Sequence, residues 1–387
     1  MPCGFGCFGS APAADAKTAP QPELLRLAQP HEELGRGSNG IVVKGTLVGK
    51  PVAVKILIAT TLGRAAKHEL LLAPRLVNHN CVLALDGAFC HVILHRGDGF
   101  GDPTRLGDGG DPYPVLHDIM HKLRAGTGQL LMVVVQELCC KATLTSATRR
   151  GIFDVTGKFG ARVACRALLR SATEIARGML YLHDAGIVHG DLKPANVLLV
   201  RSDEDRRGFS CKVSDFGLSH VLPCCVTSIT AESWGTVGYM SPEAFSGRCS
   251  RATDVWSFGV ILYELMTGQP AYGDATREQI MAGVLADSLH PAWPDGAPLI
   301  QPIIELGRRC LSRDPHDRPP FGDIMPELVR IEVELRAEGL AMLAEAQEAA
   351  EAAAALQAAA GPGTPGGPSM RSRACSGGPP AMQMVVL

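Results

Sequence analysis

The segment His189-Gly190-Asp191-Leu192-Lys193-Pro194-Ala195-Asn196 puts a carboxylate, an ammonium and an amide on one short stretch of chain. A carboxylate at Asp191 can orient an attacking hydroxyl and accept its proton, and the amide oxygen of Asn196 can face a divalent cation. Lys193 can neutralise charge on a moving phosphoryl group. A polar turn between strands would accommodate the same residues. Asp215-Phe216-Gly217, however, follows a short apolar strand, Cys211 to Val213, and adds a second carboxylate and, with Asn196, a second metal-facing oxygen. Two such oxygens with a base between them suit phosphoryl transfer from a metal-bound donor to a hydroxyl.

These groups need elements to hold them. Leu168 to His183 carries Ala172, Ile175, Ala176, Met179 and Leu182 at helical spacing, which predicts a core-facing helix that delivers the loop. Far upstream, Ile41 to Leu47 and Val52 to Ile58 read as strands joined by a turn at Gly49-Lys50, and Gly35-Arg36-Gly37-Ser38-Asn39-Gly40 precedes them. A lone G-x-G-x-x-G is weak, because dinucleotide-binding folds share it, but there it follows a strand and opens a helix. Here strands follow it. A Walker motif is also absent, since Gly45-x-x-x-Gly49-Lys50 is one residue short and runs into Pro51. The glycines therefore read as a flap whose backbone approaches phosphates closely, with a plain hairpin loop as the alternative for the segment taken alone. Lys55 sits in the second strand, where a solvent-facing lysine is the ordinary explanation. Arg64 to Val77 reads as a helix bearing Glu69 and interrupted by Pro74, and Val133-Val134-Val135-Gln136-Glu137-Leu138-Cys139 reads as another strand.

With these segments side by side, the chain resembles a eukaryotic protein kinase. The resemblance rests on the glycine-rich loop Gly35 to Val42, on Val52-Ala53-Val54-Lys55, on His189 to Asn196, on Asp215-Phe216-Gly217 and on Ser241-Pro242-Glu243, and it covers roughly residues 29 to 338. It implies an α+β, bilobal fold with a small, mostly β N-lobe carrying one helix and a larger, mostly α C-lobe. It also implies ATP and Mg²⁺ as cofactors. Asp191 would be the base, Lys193 the γ-phosphate contact, Lys55 the contact to the α- and β-phosphates with Glu69 as its partner, and Asn196 and Asp215 the metal ligands. The nucleotide would be lined by Leu34, Gly35, Arg36, Gly37, Ser38, Asn39, Gly40, Ile41, Val42, Ala53 and Leu198. Gln136 would be the gatekeeper, and the backbones of Glu137 and Cys139 would bond the base. Lys193 and Gly235-Thr236-Val237-Gly238-Tyr239-Met240 look like those of serine/threonine kinases, with Thr236 bonded near Asp191 and Lys193. The subgroup it looks most like is tyrosine-kinase-like, with Raf-like and plant-type members. Glu243 should pair with Arg318, and Asp254-Val255-Trp256-Ser257-Phe258-Gly259 should open a long buried helix through Leu265.

The chain departs from the family at Gly190, where an arginine that grips a phosphorylated activation segment is common. Glycine carries no charge. Switching through an arginine-to-phosphate clamp at this position is therefore not expected, although Thr227, Ser228, Thr230, Ser233 and Thr236 remain modifiable.

Length and composition narrow the remaining choices. At 387 residues the chain has room for two lobes and tails, and 37 basic against 39 acidic residues leave no broad cationic footprint for nucleic acid. Thirteen cysteines, with Cys139-Cys140 and Cys224-Cys225 adjacent, do not form a disulfide framework and point to the reducing cytoplasm. No apolar run approaches the roughly 20 residues that span a bilayer. Pro2 excludes N-myristoylation, while Cys3 and Cys7 read as cysteines of an unstructured tail, with their palmitoylation as the alternative.

Residues 1–28 read as a disordered tail, 29–136 as the N-lobe, 137–144 as the hinge, 145–338 as the C-lobe, and 339–387 as an Ala/Glu-rich helix followed by a Gly/Pro/Ser tail. That helix offers at most weak partner binding. Gly97 to Gly128 reads as a surface insertion with a short helix at Val115 to Leu123, and Arg201 to Gly208 as a solvated charged loop. The alternative to an active kinase for serine and threonine residues of protein substrates is a catalytically quiet scaffold, which would fit if Lys55, Asp191 or Asp215 were missing. Dual-specificity transfer is a third reading.

Overall fold

The computed structural model describes residues 25–27, 32–36, 40–59, 79–83, 85–92, 114–126, 128–139, 142–155, 160–223, 226–230, 235–294 and 298–359. The chain divides into two units, Met1–Arg336 and Ala337–Leu387.

Strand alternation sorts the small lobe into two faces. Its antiparallel sheet is built from β1 (Leu25–Leu27), β2 (Glu33–Arg36), β3 (Gly40–Leu47), β4 (Lys50–Ala59), β5 (Leu85–Val92) and β6 (Leu130–Glu137), ordered β1-β3-β4-β6-β5 with β2 also on β3. Side chains alternate along a strand and directly paired residues share a face. The registers Ile41↔Ile56, Val43↔Val54, Val54↔Val135 and Ile56↔Val133 thus gather one apolar face. Val42↔Lys55, Lys55↔Val134 and Ala53↔Gln136 gather the opposite one, so Val42, Ala53, Lys55 and Gln136 lie together.

The apolar face is covered by α1 (Pro114–Lys122), whose Val115 and Ile119 are buried in one cluster with Ile41, Val43, Val54, Ile56, Val133 and Val135. This overturns the surface reading of the 97–128 insertion over its helical part. A helix that buries apolar side chains gains about 1.5–3 kcal/mol for each large one, and the sheet face it covers gains as well. The expected helix at residues 64–77, with Glu69, lies outside the described residues, as do residues 97–113.

The larger lobe is helical: α2 (Leu144–Arg149), α3 (Ala161–Asp184), α4 (Pro242–Phe245), α5 (Arg251–Thr267), α6 (Arg277–Leu285), α7 (Gln301–Cys310) and α8 (Phe321–Ala359). Leu168, Ile175, Met179 and Leu182 of α3 bury against Phe258 and Ile261 of α5, Ile303 and Ile304 of α7, and Phe321 and Leu328 of α8. Phe258 and Phe321 meet edge to face at 5.3 Å between centroids. In the second unit the helix continues to Ala359 with Leu340, Met342, Leu343 and Leu356 exposed.

Short strand pairs carry the loops: β7 (Ile187–Val188) with β10 (His220–Val221), β8 (Val197–Arg201) with β9 (Phe209–Val213), and β11 (Ser228–Thr230) with β12 (Arg248–Ser250). The β8–β9 turn is solvated at Arg201, Asp203, Glu204, Arg206 and Gly208, as its composition suggests, but Asp205 and Arg207 turn inward. Arg207 bonds Glu174 of α3, lies 2.8 Å from Asp205, and gives a further bond to Ser171 at 2.8 Å. Arg170 extends the cluster to Asp205 at 3.1 Å and to Glu332 at 2.7 Å. Burial opposes the charge on Arg207, but its hydrogen bonds to Asp205 and Glu174 outweigh that and hold its pKa above the usual arginine value. Among the described residues, no helix is long and apolar enough to cross a membrane.

Candidate active site

α3 ends at Asp184, and the chain turns through β7 into the loop bearing Asp191. Asp254, fully buried near the start of α5, organises that turn. Its Oδ2 accepts from the His189 backbone N–H at 2.8 Å and pairs with His183 Nε2 at 2.9 Å, while its Oδ1 accepts from Gly190 N–H at 2.9 Å. A buried carboxylate with several donors is satisfied rather than reactive. The sequence reading made Asp254 only the start of a helix.

Asp191 is held from both sides. Lys193 Nζ donates to its Oδ2 at 2.6 Å, and Thr236 Oγ1 donates to its Oδ1 at 2.9 Å. Lys193 Nζ also reaches Thr236 Oγ1 at 2.7 Å. Asn196 Nδ2 donates to the Asp191 carbonyl at 2.8 Å and to its Oδ2 at 3.0 Å, which leaves the Asn196 Oδ1 lone pairs available.

A ring of hydrogen bonds closes beneath Asp191. Asp191 N–H donates to His189 Nδ1 at 3.2 Å, so His189 is protonated at Nε2 and donates there to the Ser214 carbonyl at 3.0 Å. Ser214 Oγ then donates to the Asn196 carbonyl at 2.8 Å, and Asn196 returns to Asp191. Ser214, buried immediately before Asp215, was not singled out from the sequence. Its only signal was position.

Asp215 has φ 65° and ψ 78°, the left-handed region that a non-glycine residue enters at a cost and that recurs where a side chain must be aimed. Its Oδ1 lies 3.6 Å from Lys55 Nζ. The same sheet face carries Val42, Ala53 and Gln136. Glu137 pairs across to Lys212 of β9 at 2.7 Å, and Cys139 is half-buried. Leu198 is half-buried on β8, opposite Lys212.

Of the glycine-loop residues, Leu34, Gly35 and Arg36 form β2, and Arg36 is exposed and bonded to Glu33 at 3.1 Å. Gly40 and Val42 belong to β3, whereas Gly37, Ser38 and Asn39 lie outside the described residues. Ile41 needs correcting as a nucleotide contact. Its side chain is fully buried on the α1 face, away from Lys55, so only its backbone remains available.

The departure at Gly190 has a backbone counterpart. Gly190 has φ 77°, and a Cβ on Gly235 would stand 2.8 Å from the Gly190 carbonyl oxygen. Two glycines thus let the segment that carries Thr236 lie directly on the Asp191 loop. Farther along, Tyr239 donates to Glu264 at 2.7 Å, and burial raises the pKa of both.

Glu243 and Arg318 form the expected pair, with bonds of 2.7 and 3.0 Å. Arg318 also bonds the carbonyls of Ser312 at 2.8 Å and Ala252 at 2.9 Å, and lies over the Trp256 ring. Burial pushes the Glu243 carboxyl up, but the Arg318 bonds and charge win and hold it below its ordinary value.

No cluster of three or more His, Cys, Asp or Glu able to hold a metal occurs among the described residues. The donor set is instead one carboxylate, Asp215, and one amide oxygen, Asn196 Oδ1. Such a pair fits Mg²⁺, which keeps several waters and takes phosphate oxygens beside one or two protein ligands.

Residues 116–328 match the family described as protein tyrosine and serine/threonine kinase. The chain is 28% identical to a probable serine/threonine-protein kinase of Dictyostelium discoideum over 314 residues, which is 80% of this chain and 18% of that protein. It is 36% identical over 185 residues to mitogen-activated protein kinase kinase kinase 11 of Homo sapiens, covering 46% of this chain and 21% of that protein. It is also 36% identical over 179 residues to mitogen-activated protein kinase kinase kinase 10 of Mus musculus, covering 45% and 18%. The matched region spans about a fifth of the length of these relatives.

Proposed function

Because this chain belongs to the protein tyrosine and serine/threonine kinase family, we propose that it transfers the γ-phosphoryl group of ATP to serine and threonine hydroxyls of protein substrates. The observation that carries this reading is the Asp191 carboxylate gripped by Lys193 and Thr236, with Asn196 bonded to the same residue.

In this reading a substrate hydroxyl donates to the Asp191 carboxylate, which orients the oxygen and takes its proton as the oxygen bonds the γ-phosphorus. The bond from that phosphorus to the bridging oxygen of ADP breaks, and ADP leaves. Lys193 offsets the charge on the transferring group, and Lys55 holds the α- and β-phosphates. Asn196 and Asp215 would hold Mg²⁺, which when bound spreads the phosphate charge. Gln136, Glu137, Cys139, Ala53 and Leu198 would line the base, with Glu69 as the partner of Lys55. Such chemistry is mostly positioning, and the satisfied ring through His189 and Ser214 provides it without moving parts.

Lys193 and Thr236 support serine and threonine as acceptors. Within the family we assign the chain to the tyrosine-kinase-like group, supported by its likeness to the two kinase kinase kinases. The catalytic domain is taken as residues 29–338. The cytoplasm is the compartment we favour, in keeping with the buried, reduced Cys81, Cys165, Cys211, Cys249 and Cys310. Purified chain incubated with ATP labelled at the γ-position, Mg²⁺ and myelin basic protein tests the reading, and absence of transferred label would reject it.

A further inference from the structure

A concave site lies on the large lobe, lined by residues that take no part in the arrangement around Asp191. It is a cavity of about 660 Å³ lined by Ser228, Arg248, Ser250, Arg251, Arg313 and His316, along with Pro242 and Glu243. The strand register explains how two of its walls meet. Ser228 pairs with Ser250 and Thr230 with Arg248, while Ile229 and the buried Cys249 alternate to the inner face. Arg248 and the hydroxyls of Ser228 and Ser250 therefore share the outer face.

Charge in this cavity is not balanced. The Arg248 side chain has no ion-pair or hydrogen-bond partner among the described residues. Arg251 donates from Nε to the His183 carbonyl at 3.0 Å, a bond to a neutral acceptor. Arg313 bonds the Leu285 carbonyl at 3.0 Å and lies 3.5 Å from Asp287, where both side chains are about half exposed. Of the lining acids, Glu243 is committed to Arg318, and Asp314, which accepts the backbone N–H of His316 at 2.9 Å, leaves one negative charge against the three arginines. Guanidinium groups with free N–H donors beside two hydroxyls are built for a carboxylate or phosphate.

The cavity also lies near the reacting centre along the chain. Thr236 touches Asp191, and six residues later Pro242 lines the cavity, so an extended chain places it within roughly 20 Å of the base. A protein substrate whose hydroxyl sits at Asp191 covers that distance with a handful of its own residues.

We propose that this cavity is a substrate subsite that takes an anionic side chain, glutamate or phosphoserine, flanking the accepted serine or threonine. The proposal rests on the kinase reading and names a substrate class for it: proteins whose acceptor lies beside an acidic or already phosphorylated residue. Electrostatic complementarity of this kind selects partners by disfavouring cationic ones as much as by attracting anionic ones.

The test compares a serine peptide carrying glutamates on both sides of the acceptor with the same peptide carrying glutamines. The wild-type chain should show kcat/KM higher by roughly tenfold for the glutamate peptide, mainly through KM, with the gap narrowing as salt rises. Arg248→Glu combined with Arg313→Glu should bring the ratio to about one or below, and the milder Arg248→Gln should give an intermediate ratio, with melting curves as the check on folding. Equal use of both peptides by wild type, or a preference that survives the double substitution, would overturn the subsite. So would phosphate on Ser228 or Thr230 of the purified chain together with an equal loss on both peptides in the double variant, because the cavity would then serve the chain's own modification. If no peptide is phosphorylated, the kinase reading fails, and fluorescence anisotropy with a phosphoserine peptide still decides the cavity. Binding lost in the double variant supports it, and binding absent from wild type rejects it.

Discussion

Two clusters of buried charge sit in the large lobe, and they are built alike but placed differently. Around Asp191, a lysine, a threonine and an asparagine converge on one carboxylate. Around Arg207, two carboxylates converge on one guanidinium at the back of α3, and Arg170 extends the set to α8. The first joins the Asp191 loop to the segment that carries Thr236, whereas the second ties α3, the β8–β9 turn and α8 together. Burial and hydrogen bonding alone do not mark a reactive site.

The largest expected effect calibrates what a closed pair is worth. Arg318→Ala should leave Glu243 buried without its partner and cost about 3–5 kcal/mol, read as a fall in melting temperature. An unchanged melt would reject that pair as structural. The same pair gives a pH signature. The Glu243 pKa is lowered on folding, so its contribution is full above the unfolded carboxylate pKa of about 4.3 and is lost as pH falls through the lower folded value. Wild type should therefore lose stability more steeply than Arg318→Ala below about pH 4.3, as measured by chemical denaturation across that window.

Next in size, Lys193→Ala should lower kcat by roughly 10²–10³-fold, the usual loss when one donor to a transition-state charge is removed, while the melt stays close to wild type. Arg207→Ala should do the reverse. It should cost roughly 3 kcal/mol of stability and leave kcat per folded molecule within about threefold of wild type. A variant that moved both readouts together would erase the distinction between the clusters.

The smallest effect belongs to Ser214→Ala, which removes one bond from the ring under Asp191 but spares the Ser214 N–H to the Asn196 carbonyl at 2.9 Å. A net loss near 1 kcal/mol is expected for one hydrogen bond. It should appear as a raised Mg²⁺ requirement and a kcat lower by about fivefold, with Ser214→Thr restoring both. No change in Mg²⁺ dependence would leave Ser214 without a positioning role.

What the sequence displayed depended on how far apart the interacting residues lie along the chain. The strands bearing Val42, Ala53 and Lys55 were legible because alternation is local, and the Asp191 loop because its polar groups fall within five positions. The Arg207 cluster was read as a solvated loop because its partner Glu174 is 33 residues upstream on a helix whose apolar face drew the attention. α1 was expected as a helix, yet its burial depends on a sheet assembled from strands on either side of it in sequence. Ile41 shows the same limit in one residue: the glycine motif assigns it to the loop, and the pleat turns its side chain to the other face.

The central claim is that Asp191 is the base of a serine and threonine phosphoryl transfer. Transfer of γ-label from ATP to a generic protein substrate by wild type and by Asp191→Asn, followed by acid hydrolysis and identification of the labelled amino acid, tests it most directly. Phosphoserine and phosphothreonine from wild type, with incorporation lowered by roughly 10²–10⁴-fold in Asp191→Asn at an unchanged melting temperature, is the predicted result. Equal labelling by both proteins, or label on phosphotyrosine alone, would contradict it.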